Sequence, residues 1–280
     1  MEREESGSLR VGKVDLSEAR ILGKTGLRVG PLGVASSFGA PAAAFEEAFE
    51  RGCNYFYWGS MRKPGMREAI RNLCSQGKRD RLILALQSYS RSAALMEVFF
   101  KRGLAAAGVD HADVLLLGLH NKKPSPRVME RALELRQKGL CRFVGVSGHK
   151  RELFPRLARD NVFDLFHIRY NAAHRGAEKE IFPNLPADDR PGVVAFTATR
   201  WAQLINPKKT PPGETPPSAS DCYRFVLSNP AVDVCICGPK DMSQMREALR
   251  TLDLGTLSPE EMGRMRRIGD YVHDHTSRFF

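Results

Sequence analysis

The chain has 280 residues, 43 Lys+Arg against 32 Asp+Glu, a formal net charge of +11 and 42% hydrophobic residues. That balance excludes a disordered chain, and no apolar run approaches the ~20 residues of a membrane-spanning helix. The opening MEREESGSLR has no apolar stretch, so no secretory signal is expected and a cytoplasmic protein is. Lys and Arg are spread along the chain with no stripe interleaved with aromatics. That argues against nucleic acid and suits small anionic ligands. Six cysteines lie mostly in apolar segments without a C-x-x-C pair, so buried free thiols are expected.

Eight apolar runs read as strands in chain order: from Pro31, Asn54, Arg81, Asp113, Arg142, Asp164, Gly192 and Val232. Most lack alternation, as expected for strands covered on both faces. Helical patterns lie between them; Val128, Ala132 and Leu135 share one face, and Met245, Ala248, Leu249 and Leu252 another. The last helix opens with Ser258-Pro259-Glu260-Glu261, an N-cap, a proline at N1 and a capping box. The Pro/Lys-rich stretch 206–220 reads either as a solvated linker or as a cationic flap.

Eight strands with long connections predict a single-domain (β/α)8 TIM barrel over 20–280 behind a tail over 1–19, with an open doubly wound sheet as the alternative. A barrel of about 250 residues needs no second domain. No GxGxxG follows the first strand, which counts against the open sheet. A barrel carries its chemistry at the C-terminal strand ends, where Trp58, Gln87, His120, Ser147, Tyr170, Asn171, Thr197 and Gly238–Lys240 fall. No metal site is expected; His273-Asp274-His275 lacks partners at ligand spacing.

The order of several segments resembles the aldo-keto reductase superfamily. Leu22–Val29 is similar to its opening hairpin, and Gly52–Phe56 to its second strand. Gly108-Val109-Asp110, Asp113 and His120 resemble the fourth, and Arg142–Ser147 the fifth. Tyr170-Asn171 with Arg175, Glu178 and Glu180 resembles the sixth. Gly238-Pro239-Lys240 with Gln244 and Glu247 resembles the cofactor segment. The resemblance implies a barrel that binds NADP(H) and reduces a small carbonyl compound by hydride transfer.

Carried over residue by residue, the family's catalytic set is mostly missing. Its aspartate is Tyr57, its tyrosine has no counterpart in Gly59–Lys63, and its lysine is Gln87; the histidine remains as His120. Carbonyl reduction needs a proton for the developing alkoxide, so His120 and Tyr57 become the candidate catalytic residues, with Ser88, Tyr89, Arg62 and Lys63 nearby. Tyr57 and Trp58 read first as bulky plugs of the mouth, ahead of a catalytic role.

For the cofactor, the resemblance implies Phe196 stacking on the nicotinamide, with Thr197 beside it, and Ser147 and His167 at the carboxamide. Gly238 and Lys240 fall at the phosphate and Gln244 and Glu247 at the adenosine, while the asparagines expected at Gly148 and Ala248 are absent. Two alternatives stand beside the reductase: a catalytically silent NADP(H)-binding barrel, and a non-redox acid/base enzyme on the same scaffold.

Overall fold

Ahead of the barrel, β1 (Arg20–Ile21) and β2 (Arg28–Val29) pair antiparallel, Arg20 opposite Val29. The computed structural model describes residues 15–276. Most of the expected 1–19 tail lies outside them, and Leu16 is fully buried. Eight strands follow: β3 (Leu32–Ala35), β4 (Tyr55–Trp58), β5 (Ile83–Ser88), β6 (Ala112–Leu117), β7 (Cys141–Gly148), β8 (Leu165–Arg169), β9 (Gly192–Phe196) and β10 (Val234–Cys237). They pair in parallel in chain order, and β10 closes on β3. The barrel stands as predicted, and the open sheet is excluded.

Helices α1 (Ala42–Glu50), α2 (Gly65–Ser75), α3 (Ala93–Ala107), α4 (Pro126–Gln137) and α5 (Leu153–Arg159) fill the first five crossovers. α6 (Ala177–Glu180) and α7 (Ala219–Leu227) lie in the next two. α8 (Met242–Leu254) and α9 (Pro259–His275) follow the last strand. The face of α4 formed by Val128, Ala132 and Leu135 is buried, as is that of α8. Ser258 and Glu261 form the expected capping box of α9. Cys53, Cys141, Cys222, Cys235 and Cys237 are buried free thiols and Cys74 is half-buried. No helix among the described residues is long and apolar enough to cross a membrane.

Alternation along the strands sorts side chains into two layers. Tyr55, Ile83, Ala85, Val114, Leu116, Leu165, Val194, Val234 and Ile236 cluster inside the barrel. Leu22, Leu27 and Val29 of the hairpin join them and plug its base. The intervening residues, Phe56 and Trp58 among them, pack outward against the helices. This corrects one expectation: Trp58 is no plug of the mouth, because it stands one residue out of phase with Tyr57.

The base of the barrel repeats one device. Asp113, Asp164 and Asp233, each at the start of a strand, accept from the backbone N–H of the preceding strand. The donors are Leu84 (2.9 Å), Val144 (2.8 Å) and Val193 (2.8 Å). Each also meets an arginine: Asp113 takes Arg79 and Arg142, Asp164 takes Arg136 and Asp233 takes Arg190. Asp113 and Asp233 are buried and Asp164 is half-buried; carboxylates withdrawn from water are tolerated when paired and hydrogen-bonded in this way. The stretch 206–220 is held down rather than free, since Glu214 meets Arg264 and Arg267 of α9.

Candidate active site at the barrel mouth

Continuing the inward alternation to the C-terminal strand ends brings Tyr57, Gln87, Ser147, Arg169, Phe196 and Gly238 around the mouth. Below them His167 and Tyr55 face each other, hydroxyl to Nε2, at 2.7 Å. Burial holds His167 down at about 3, so its ring is neutral at physiological pH. The Tyr57 ring lies 5.2 Å from that of His167, and the Tyr57 hydroxyl donates to Gln87 Oε1. Two glycines make room for this pair. A Cβ on Gly59 would lie 2.4 Å from the Tyr57 hydroxyl, and one on Gly118 would lie 2.0 Å from Gln87 Nε2. Burial, and then the neighbouring Tyr89 phenol, push the Tyr57 phenol well above its ordinary value. The neutral Gln87 supplies no charge to reverse that.

His120 is buried beside the mouth, its backbone N–H on the Ser147 carbonyl at 2.6 Å. Arg91 reaches its Nε2 at 3.0 Å. A guanidinium can only donate, so Nε2 accepts and the ring proton sits on Nδ1. Burial and the Arg91 charge hold His120 down at about 4. His120 and Tyr57 therefore hydrogen-bond to different partners rather than to one another. A lateral cavity of about 380 Å³ opens beside His120, lined by Arg91, Asn121, Lys122, Lys123 and the first turn of α4. Gly148 passes so close that an added Cβ would lie 2.1 Å from the His120 carbonyl. An asparagine there would need the backbone to shift.

The cofactor candidates are placed as follows. Ser147 Oγ accepts from the Leu119 N–H at 2.9 Å. The half-buried Phe196 ring stands edge-on to His149, centroids 5.8 Å apart. Thr197, at φ +60°, donates its hydroxyl to the Phe196 carbonyl. Gly238 lies under the exposed Phe38 ring, which a Cβ there would meet at 2.6 Å. Lys240 is exposed, and its N–H is held by Gln244 Oε1 at 3.1 Å. Glu247 accepts from Ser220 Oγ at 2.9 Å and from Arg250 at 3.0 Å, which ties α8 to α7.

Sequence reasoning passed over Arg169. It stands two residues beyond His167 on the same strand face, a period-2 signal that was readable. Its NH1 is buried without a hydrogen-bond partner, and so is His149 Nδ1. Desolvation and the charges of Arg151 and Arg200 lower Arg169 from its ordinary value. The buried Arg200 donates to the Val272 carbonyl at 2.6 Å. Arg200, Trp201 and Ala202 all hold positive φ, next to this cluster in sequence. Non-glycine residues in that region carry strain, which gathers at functional sites.

No family model and no curated protein matches the sequence. Solved structures of aldo-keto reductases share its fold. The holo form of aldo-keto reductase AKR11C1 from Bacillus halodurans is 18% identical with a TM-score of 0.72, over 90% of this chain and 96% of that chain. Its apo form gives 18% and 0.71 over the same shares. The chain therefore carries the barrel fold of the aldo-keto reductases.

Proposed function

We propose that the mouth binds NADP(H) and that the protein is an oxidoreductase of aldo-keto reductase type, reducing a small carbonyl compound with an atypical proton donor, Tyr57. The observation that carries this reading is the Tyr57 hydroxyl on the inner face of the mouth, oriented by Gln87. The donor set suits a polyanionic cofactor with a flat ring. Lys240 is exposed and the Phe196 ring is half-buried. Phe196 and Ser147 would hold the nicotinamide end, and Gly238, Lys240 and Gln244 the phosphate end. When bound, NADPH supplies the hydride.

The chain's own part is to place a proton and exclude water. Gln87 Oε1 holds the Tyr57 hydroxyl proton in the absence of substrate, and Tyr57 gives that proton to the oxygen that gains charge by turning the O–H away from Gln87. His120, neutral, holds its proton on Nδ1 and polarises rather than protonates. The buried rings of Tyr55 and His167 close the floor against water.

One observation favours the silent reading instead: burial leaves Tyr57 a weak acid, and its hydrogen bond runs to the uncharged Gln87. Turnover separates the two. NADPH consumption is followed by absorbance against a panel of aldehydes, ketones and quinones, beside a fluorescence titration of binding. Saturable binding with turnover that falls about a hundredfold in Tyr57→Phe supports the reductase. Binding without turnover makes the protein a cofactor-binding barrel. Absence of binding overturns both.

A further inference from the structure

The mouth holds a cation the proposed chemistry does not use. Arg169 points into the barrel with the inward residues of β8, and in the β8–β9 register it is the partner of Phe196. Its NH1 is buried and unpaired. The charges that act on it, Arg151 and Arg200, are cationic like itself. Arg151 meets Glu180 at 2.7 Å, and Arg200 donates to a backbone carbonyl. His149 keeps its own Nδ1 buried and unpaired. Arg169 as a whole is half-buried, but a buried guanidinium N–H left without a partner among like charges costs stability, and the barrel base shows that this chain pairs such groups elsewhere.

We infer that Arg169, with His149, forms an oxyanion-binding site at the barrel mouth, taking the carboxylate or phosphate of a small ligand beside Phe196. A guanidinium fork matches either group in a bidentate way. The left-handed turn Arg200–Ala202 holds the cluster's buried arginine, Arg200. The oxyanion has two sources, a phosphate of the dinucleotide or an acidic group on the substrate. The position beside Phe196 on β8, rather than on the segment after β10 that carries Lys240 and Gln244, favours the substrate. The site stands apart from the redox reading: absence of turnover leaves it intact.

The test is thermal unfolding and tryptophan fluorescence of the full chain with inorganic phosphate, malonate or NADPH, each against chloride at matched ionic strength. Trp201, 47% exposed and adjacent in sequence to Arg200, is the expected reporter. Wild type is expected to gain a saturable rise in Tm with phosphate or malonate. Arg169→Met is expected to melt higher than wild type without anion and to bind the anion about tenfold more weakly or worse. Arg169→Lys should keep part of the affinity, and Arg169→Gln carries the comparison if the methionine variant does not fold. Malonate binding that persists under saturating NADPH identifies a substrate acid. Malonate binding abolished by NADPH identifies the cofactor phosphate, and both outcomes support the site. No anion-specific shift in wild type, or unchanged affinity in Arg169→Met, overturns it.

Discussion

The two ends of this barrel treat buried charge in opposite ways. At the base, Asp113, Asp164 and Asp233 each meet an arginine and a backbone N–H of the neighbouring strand. At the mouth, Arg169 and His149 keep buried nitrogens unpaired, and Thr197, Arg200, Trp201 and Ala202 take positive φ. The base is arranged for stability. The mouth carries unsatisfied groups and strain that a ligand could relieve.

Breaking the base is expected to have the largest effect. Asp113→Ala strips Arg79, Arg142 and the Leu84 N–H of their acceptor at a site 2% exposed. A loss of about 3 kcal/mol is predicted by denaturant unfolding; a loss below about 1 kcal/mol would show that the base triads do not hold the barrel.

Acid comes next. His167, His120 and His174 are held at about 3, 4 and 4, mainly by burial, below their unfolded value. The unfolded chain then binds more protons, so their contribution is complete above about pH 6.5 and is lost as pH falls toward 4. Stability should drop by about 2 to 4 kcal/mol across that window, and His167→Gln should flatten the slope. An equal slope in the variant would contradict the assignment. Tyr55→Phe removes the 2.7 Å partner of His167 and should cost about 1 to 2 kcal/mol by the same unfolding measurement.

Gln87→Lys sharpens the functional side. An ammonium beside the Tyr57 hydroxyl should lower that phenol by a unit or more, read as a shift of the alkaline limb of the pH profile of any turnover to lower pH. An unmoved profile would remove Tyr57 from the proton path. Arg169→Met has the smallest effect and the opposite sign, raising unliganded stability by about 0.5 to 1 kcal/mol.

Much of the fold was legible in the sequence because its signals are local. All eight apolar runs became barrel strands, and the capping box at Ser258 opened α9. The site was harder to read, because it depends on phase and on partners far apart in the chain. Trp58 looked like a mouth residue until the alternation through Tyr57 turned it outward. Arg91 lies 29 residues from His120, so no spacing rule announces the contact that fixes its proton. The room for Tyr57 and Gln87 comes from Gly59 and Gly118, whose purpose shows only when the rings are in place. Arg169 was readable, since period-2 counting from His167 finds it, but a resemblance that supplies expected residues draws attention away from unexpected ones.

Unfolding free energy of wild type and Arg169→Met, each without ligand and under saturating NADPH or malonate, tests the contrast between the ends most directly. The account predicts a crossing: the variant the more stable protein when empty and the less stable one when liganded. A variant that loses stability to the same extent under every condition would mean that Arg169 serves the fold and that the mouth holds no charge in reserve.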